Sequence, residues 1–212
     1  MAGWLARTWA DHAMPLAVEY VCAQRSIDRQ RAKLVPLAAG RVLEVGVGTG
    51  LNLPFYDPDR VEEIVAVDPS EALLVRARER ARSVRPPVRI VRGSADSIDA
   101  PDASFDAVVV TYTLCTVPDP ARALAEIARV LAPAGRLLIS EHGLAPDRAP
   151  RAWQRRLDPV WSRLGGGCHL DRPMRALARD AGFDVGALEE RYLPGPRWLN
   201  YHYFGALSRE AA

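Results

Sequence analysis

The chain has 212 residues and is 49% hydrophobic, enough for one domain with a sizeable core and too little for two comfortable ones. Its 28 basic residues nearly balance 26 acidic ones, leaving a net charge of +2. The totals advertise no field for nucleic acid or an anionic membrane, so the expected partner is a small molecule. Three cysteines, Cys22, Cys115 and Cys168, stand far apart with no Cys-x-x-Cys pair and no His/Cys cluster at ligand spacing. That pattern predicts a reduced, cytoplasmic protein with no metal. Neither a signal-peptide pattern nor an apolar run of about 18 residues is present, so a soluble chain without a membrane span is expected.

Residues 1–40 read as a helical preamble. Pro15 suits a first turn, and Leu16, Val18, Val21, Cys22, Ile27, Leu34, Val35 and Ala38 give an imperfect apolar stripe among Arg25, Asp28, Arg29, Arg31 and Lys33. Its apolar face must cover something. One reading is a helix packed on a sheet, another a lid that carries Trp4, Trp9 and Tyr20 toward a substrate. Peripheral contact with a membrane surface is a third, not expected, reading, because Trp4 and Trp9 precede basic residues.

Val42 to Val45 form a short buried strand, and glycines at 46, 48 and 50 then let the backbone turn tightly and approach a ligand. Asp68 ends the next apolar run, Ile64 to Val67, where the acid that grips a ribose hydroxyl belongs. Leu51 occupies the place of the third glycine of a dinucleotide fingerprint, which disfavours a nicotinamide cofactor. A bare strand-to-helix turn without a ligand is the plain alternative.

Strands and helices alternate from there on. Ser70 caps a helix with Leu73, Leu74, Ala77 and Ala81 inward and Arg76, Arg78, Arg80 and Arg82 mostly on a solvated face. Val88 to Val91 is the third strand and Gly93 to Asp96 the loop at its carboxyl end; Phe105 to Thr111 is the fourth, apolar enough to be buried on both faces. Asp119 and Pro120 open a helix, Pro133 to Gly135 turn the chain, and Leu137 to Ile139 form the fifth strand, delivering Glu141 and His142 to the carboxyl edge. Asp158-Pro159 is expected to break the helix that carries Trp153 and restart a short one carrying Trp161, before Gly165 to Gly167. Asp171 is expected to cap a helix through Met174 and Ala181, and Phe183 to Tyr192 and Arg197 to Leu207 to be the last two strands. The fold predicted is α/β: a Rossmann-like, seven-stranded, mostly parallel doubly wound sheet with one antiparallel edge strand, helices on both faces and an N-terminal helical lid. Within a single domain, 1–40 is the lid, 41–142 the cofactor-binding core, 143–172 a substrate flap and 173–212 the closing helix and strands.

With these residues in place, the stretch from about Arg41 to Asp184 resembles the class I S-adenosylmethionine-dependent methyltransferases of the small-molecule type. Within them it is most similar to the methyltransferase-like proteins that methylate alkyl thiols and to their bacterial relatives. The resemblance rests on Val42 to Gly50 with Asn52 and Tyr56, on Asp68-Pro69, Leu114 to Val117 and Glu141-His142, and on Trp153-Gln154 through Gly167-Cys168-His169-Leu170. It extends to bacterial phosphatidylethanolamine N-methyltransferases and quinone C-methyltransferases. Two departures are visible: Ser94 stands where many relatives have an aspartate, and no apolar anchor precedes Arg25.

The resemblance implies S-adenosylmethionine as cofactor and S-adenosylhomocysteine as product. Glu44, Gly46, Gly48, Gly50 and Asn52 would form the loop around the methionine part, Asp68 and Pro69 would take the ribose, Ala95 and Asp96 the adenine, and the Thr111 carbonyl the α-amino group. Methyl transfer from a sulfonium is an in-line displacement, so positioning and exclusion of water do most of the work. A thiol acceptor, with an unperturbed pKa near 8.5, needs only a weak base. His142 is the first candidate and His169 the rival, each with a structural alternative as a loop histidine. Tyr20, Tyr112, Cys115, Trp161, Tyr192 and Trp198 are the expected substrate pocket, although Cys115 reads better as a small buried hydrophobe and Tyr112 is split between pocket wall and core. The acceptor stays open between a thiol, a lipid or amine nitrogen, and a phenol or quinone, and a non-catalytic cofactor-binding module is the outsider.

Overall fold

The computed structural model describes residues 19–210. Seven strands form one sheet in the order β3-β2-β1-β4-β5-β7-β6. These are β1 (Gly40–Val45), β2 (Val61–Asp68), β3 (Val88–Arg92), β4 (Phe105–Thr111), β5 (Leu131–His142), β6 (Glu189–Tyr192) and β7 (Tyr201–Leu207). The first five are parallel, and β7 runs antiparallel to both β5 and β6 in the edge pair. The central strands are buried along most of their length because helices cover both faces. Five α-helices are described: α1 (Arg25–Leu34), α2 (Glu71–Ala81), α3 (Pro120–Val130), α4 (Arg148–Leu164) and α5 (Met174–Asp180).

Alternation along β1 sorts the core into two layers. Leu43 and Val45 join Leu124 and Ile127 of α3 and Met174 and Ala178 of α5 on one face. Val42 joins Leu34 of α1 and Leu74 and Ala77 of α2 on the other. The order of β1 and β4 matters most for function. The chain leaves β1 toward β2 and returns on the other side to make β4, so a crevice opens between their carboxyl ends.

Several elements differ from the sequence reading. α4 runs unbroken for 17 residues through Pro159, which is exposed, so water can take the carbonyl that the proline leaves free. Asp158 is therefore no breaker; its carboxylate accepts the Leu170 N–H at 2.7 Å and contacts His169 Nδ1 at 2.9 Å. Asp171 does not cap α5; Pro173 holds the N-cap position without a side-chain bond, and its carbonyl accepts from Leu177 at 3.0 Å. Pro133 to Gly135 bulge out within β5 rather than precede it, since Leu131 already pairs with Phe105 and register resumes at Arg136 with Ala107. β6 begins only at Glu189, with Phe183 fully buried and joined to Arg209 by a single bridge.

At the N-terminal end, α1 packs over β5 and β7, and Ile27, Leu34, Val35 and Ala38 are buried. Pro15, Leu16, Val18, Trp4 and Trp9 lie outside the described residues. Arg76 and Arg80 of α2, read as solvated, pair with Glu19, and Arg80 Nη1 also donates to the Thr49 carbonyl at 2.6 Å. Among the described residues no helix is long and apolar enough to cross a membrane.

Candidate active site

A cleft of about 390 Å³ lies at the carboxyl ends of β1, β2 and β4, within the range of small-molecule sites. Its floor is the glycine loop. Gly46, at φ +74°, packs so closely that a Cβ there would lie 2.0 Å from Thr113 Oγ1, whereas a Cβ on Gly48 would meet nothing. Gly48 thus marks open ground over which a ligand can run. Asp68 is buried at the end of β2, with Oδ2 accepting the Gly48 N–H at 3.0 Å and Oδ1 the Ser70 N–H at 2.9 Å. Burial raises its pKa, and the two backbone donors pull the other way.

Beneath the floor runs a polar network. Asn52 Nδ2 donates to Glu44 Oε1 and to Thr111 Oγ1, each at 3.0 Å, and the Tyr56 hydroxyl donates to Glu44 Oε2 at 2.9 Å. Arg31 Nε donates to Asn52 Oδ1 at 3.0 Å. Burial lifts the Glu44 carboxyl to about 7 against the pull of Tyr56, Asn52 and Arg31. Glu44 therefore braces the loop from within the sheet and does not line the cleft. Arg31 does line it; this arginine, one of the charged residues among the apolar stripe, is 3% exposed.

At the far end of the cleft the chain leaves β4 through Tyr112, which adopts φ +53°, a conformation uncommon for a side chain of that size. It is held there by its N–H to the Ser140 carbonyl at 2.9 Å and by its hydroxyl against His202 Nδ1 at 3.1 Å. The turn that follows is pinned by Glu141, whose fully buried carboxylate accepts the N–H groups of Thr113, Leu114 and Cys115 at 2.6, 2.7 and 3.3 Å. Burial lifts this carboxyl too, to about 7, against those three donors.

Beside that turn three side chains converge from separate elements: Cys115 after β4, His142 at the end of β5 and Cys168 after α4. Their Sγ, imidazole and Sγ atoms all lie within 4.8 Å of one another. His142 Nε2 is 3.1 Å from Cys168 Sγ, and Trp161 Nε1 donates to the same sulfur at 3.5 Å. The hydrogen bond from Cys115 holds the Cys168 thiol down at about 4, with His142 and Trp161 assisting against the effect of burial. The same contact, with burial, raises Cys115. Cys22, on the cleft wall, is near enough to Cys168 to feel its charge, though burial is the larger cause of its raised pKa of about 11.

Of the residues singled out in the sequence, Gly46, Gly48, Asn52, Asp68, Pro69, Ala95, Thr111 and Tyr112 line the cleft. Gly50 lies under it, where a Cβ would come within 2.9 Å of Leu53 and 3.2 Å of Ala77, so it serves the packing of loop on helix. Asp96 is off the wall, turned onto the Ser94 hydroxyl, while Ser94 itself lines the cleft. His142 and Cys115 sit behind the wall in the cluster just described, and His169 is held on Asp158. Trp161 stacks edge-on with Trp198 at 5.9 Å, next to Cys168. Tyr192 is elsewhere, packed on Tyr201 at the edge pair with its hydroxyl on Asp147 at 2.6 Å, and Tyr20 is 80% exposed. Neither lines the cleft: Tyr192 packs against the core at the edge pair, and the Tyr20 ring is turned to solvent. Arg31, Cys22, Thr113 and Thr116 are cleft residues that the sequence reading did not select. Arg31 was open to detection, falling between Ile27 and Leu34 on the buried stripe.

The family model described as "Methyltransferase domain" matches residues 43–139. A phosphatidylethanolamine N-methyltransferase of Cereibacter sphaeroides is 42% identical over 161 residues, covering 74% of this chain and 76% of its own length. The chain belongs to the S-adenosylmethionine-dependent methyltransferases. A thiol S-methyltransferase, TMT1B of Rattus norvegicus, is 36% identical over 163 residues, covering 74% of this chain but 65% of its own length. Its human counterpart is 34% identical over 168 residues, at 76% and 68%. A solved S-adenosylmethionine-dependent methyltransferase from Thermotoga maritima superposes with a TM-score of 0.65 at 21% identity over 97% of this chain and 99% of that one, which shows a common fold. S-adenosylmethionine is thus the methyltransferase cofactor, and the open ground at Gly48, the fixed buried carboxylate of Asp68 and the size of the cleft fit it.

Proposed function

We propose that this methyltransferase moves the methyl group of S-adenosylmethionine to the sulfur of a small thiol. Asp68 takes the ribose diol, Ser94 and Ala95 border the adenine, and the Thr111 carbonyl meets the α-amino group. Arg31, a cation on the wall of the same cleft, faces the cofactor's carboxylate. The acceptor lies between Tyr112, Cys22 and the Gly165-Gly166 turn, in line with the sulfonium. Of the two histidines we assign His142 to this end, behind the cleft wall through its contact with Cys168, since His169 is engaged by Asp158. The observation that carries the thiol reading is the soft group of Cys115, His142 and Cys168 at the acceptor end, and the thiol S-methyltransferases among the relatives support it. The reading places the enzyme in a reducing, cytoplasmic setting, where free thiols persist.

One observation favours a phospholipid amine instead. α4 exposes Trp153, Val160 and Leu164 beside Arg155, Arg156 and Arg163, a face suited to an anionic lipid surface, and one relative carries the name of a phospholipid N-methyltransferase. Purified protein with labelled cofactor, offered alkyl and aryl thiols, amines, phenols and phosphatidylethanolamine vesicles, decides between them. The thiol reading expects label in a thioether. Label in the phospholipid with every thiol ignored would sink it and leave the methyltransferase standing.

A further inference from the structure

We propose that Cys115, His142 and Cys168 bind one zinc ion, with an open fourth position that receives the acceptor's sulfur. The zinc site stands on its own geometry, and only its role in catalysis rests on the thiol reading above. Two thiolates and an imidazole are the donor set that selects zinc, and three protein ligands with a vacant fourth place are the pattern of catalytic rather than structural zinc. Tetrahedral zinc at about 2.0–2.3 Å from N and S spaces its ligand atoms by about 3.3–3.8 Å. The three atoms already lie within 4.8 Å of one another, and the 3.1 Å contact of His142 with Cys168 needs to open by only a few tenths of an ångström.

The backbone of each ligand is placed by bonds that owe nothing to a metal. Glu141 takes the Cys115 N–H at 3.3 Å, and the Cys115 carbonyl accepts the His169 N–H at 2.8 Å, which fastens the two cysteine segments together. Cys168 N–H donates to the Gly165 carbonyl at 3.2 Å, and His142 is fixed in β5 by its pairing with His202. Gly167, at φ +90°, lets the turn close on Thr116, whose carbonyl would lie 3.3 Å from a Cβ there. Trp161 Nε1 donates to Cys168 Sγ, the kind of outer hydrogen bond that orients a metal's thiolate. Two thiolates also neutralise a divalent cation, so the loaded site adds no net charge to a buried region. Half-buried Cys168, bonded through its N–H to Gly165, ties the group to the turn that lines the cleft.

In the reaction, the acceptor thiol takes the fourth position and gives its proton to water. A sulfur lone pair then forms the bond to the methyl carbon while the bond from that carbon to the sulfonium breaks, its electron pair staying on the sulfur of S-adenosylhomocysteine. The cation's charge is thereby cancelled by the thiolate's, and the neutral thioether, a weaker ligand, leaves.

The test starts from full-length protein purified under reducing conditions. Elemental analysis should find about one zinc per chain, and exchange with Co²⁺ should give tetrahedral d–d bands and sulfur-to-cobalt charge-transfer absorption. Cys115→Ser and Cys168→Ser should lose the charge-transfer bands, while Cys22→Ser keeps them; circular dichroism checks that each variant folds. Parent protein that shows three free thiols by titration, carries no zinc and gives no cobalt bands overturns the site whatever the variants do. For the role in catalysis, chelation should reduce thiol methylation to background, with zinc restoring it and calorimetry showing cofactor binding retained. Undiminished thiol methylation by zinc-free protein overturns that role and leaves the thiol reading intact; bound zinc with every thiol refused overturns the thiol reading and leaves the site.

Discussion

Glu44 gives the sharpest test of the electrostatics beneath the cleft. Its carboxyl, 1% exposed in the middle of β1, titrates at about 7 in the folded chain against an ordinary value of 4.5. A folded-state pKa above the unfolded one means that the group's contribution to stability is fully present below the unfolded pKa and is lost as pH rises through the folded pKa. Between about pH 5 and about pH 8 that loss amounts to about 2–3 kcal/mol, taking about 1.4 kcal/mol for each pKa unit. Glu44→Gln removes the titration while keeping an acceptor for Asn52 Nδ2. The Tyr56 hydroxyl loses its carboxylate partner, a penalty of about 1 kcal/mol that does not depend on pH. The variant should therefore be slightly weaker than the parent near pH 5 and more stable by about 1–2 kcal/mol near pH 8. Urea unfolding of both proteins at the two pH values, at one ionic strength, measures the difference, and other carboxylates cancel in it. A variant-minus-parent stability that is the same at both values would refute a Glu44 that is desolvated and protonated near neutrality.

Asp68→Ala should weaken S-adenosylmethionine binding by about 1.5–3 kcal/mol, through lost charge-assisted bonds to the ribose and a loosened Gly48 and Ser70; calorimetry reads it, and unchanged affinity counts against the assignment. Gly46→Ala drives a methyl to 2.0 Å from the Thr113 hydroxyl at a positive φ, so thermal melting should drop by several degrees and the cofactor should no longer raise it. Gln154→Leu strands the Ala145 N–H and the Gly143 carbonyl, now bonded at 2.9 and 2.8 Å, at about 1–3 kcal/mol for each buried group, which denaturant midpoints would show.

The parts of this structure legible in the sequence are those encoded within a few residues. Continuous apolar runs at Ile64 to Val67 and Val108 to Val110 announce parallel strands, and Asp119 with Pro120 announces a helix start that the structure builds with the Arg122 N–H on Asp119 at 3.0 Å. The glycine loop and Asp68 were visible because a tight turn and a strand-end acid are local patterns. The group of Cys115, His142 and Cys168 was not: His142 and Cys168 are 26 residues apart, and only the adjacency of β4 and β5 with the return of α4 brings the three together. Spacing rules for metal ligands assume one motif on one element, so they pass over such a group. Arg31 was passed over for a related reason. Charge suggests solvent, and only the tertiary partners Asn52 and the Cys22 carbonyl, at 3.0 and 2.6 Å, explain a buried guanidinium. Pro159 shows the converse, a strong local rule that fails because its helix face is open to water.

One wall of the cleft, through Cys22 and Arg31, belongs to the N-terminal helical segment rather than to the sheet. That segment is fastened by Arg31 on Asn52 and by Glu19 on Arg76 and Arg80. Filling the cleft and seating the helix are therefore coupled equilibria. A cofactor present at about a hundred times its dissociation constant adds about 2.7 kcal/mol to whatever state completes its site, and here that state includes the clasped helix.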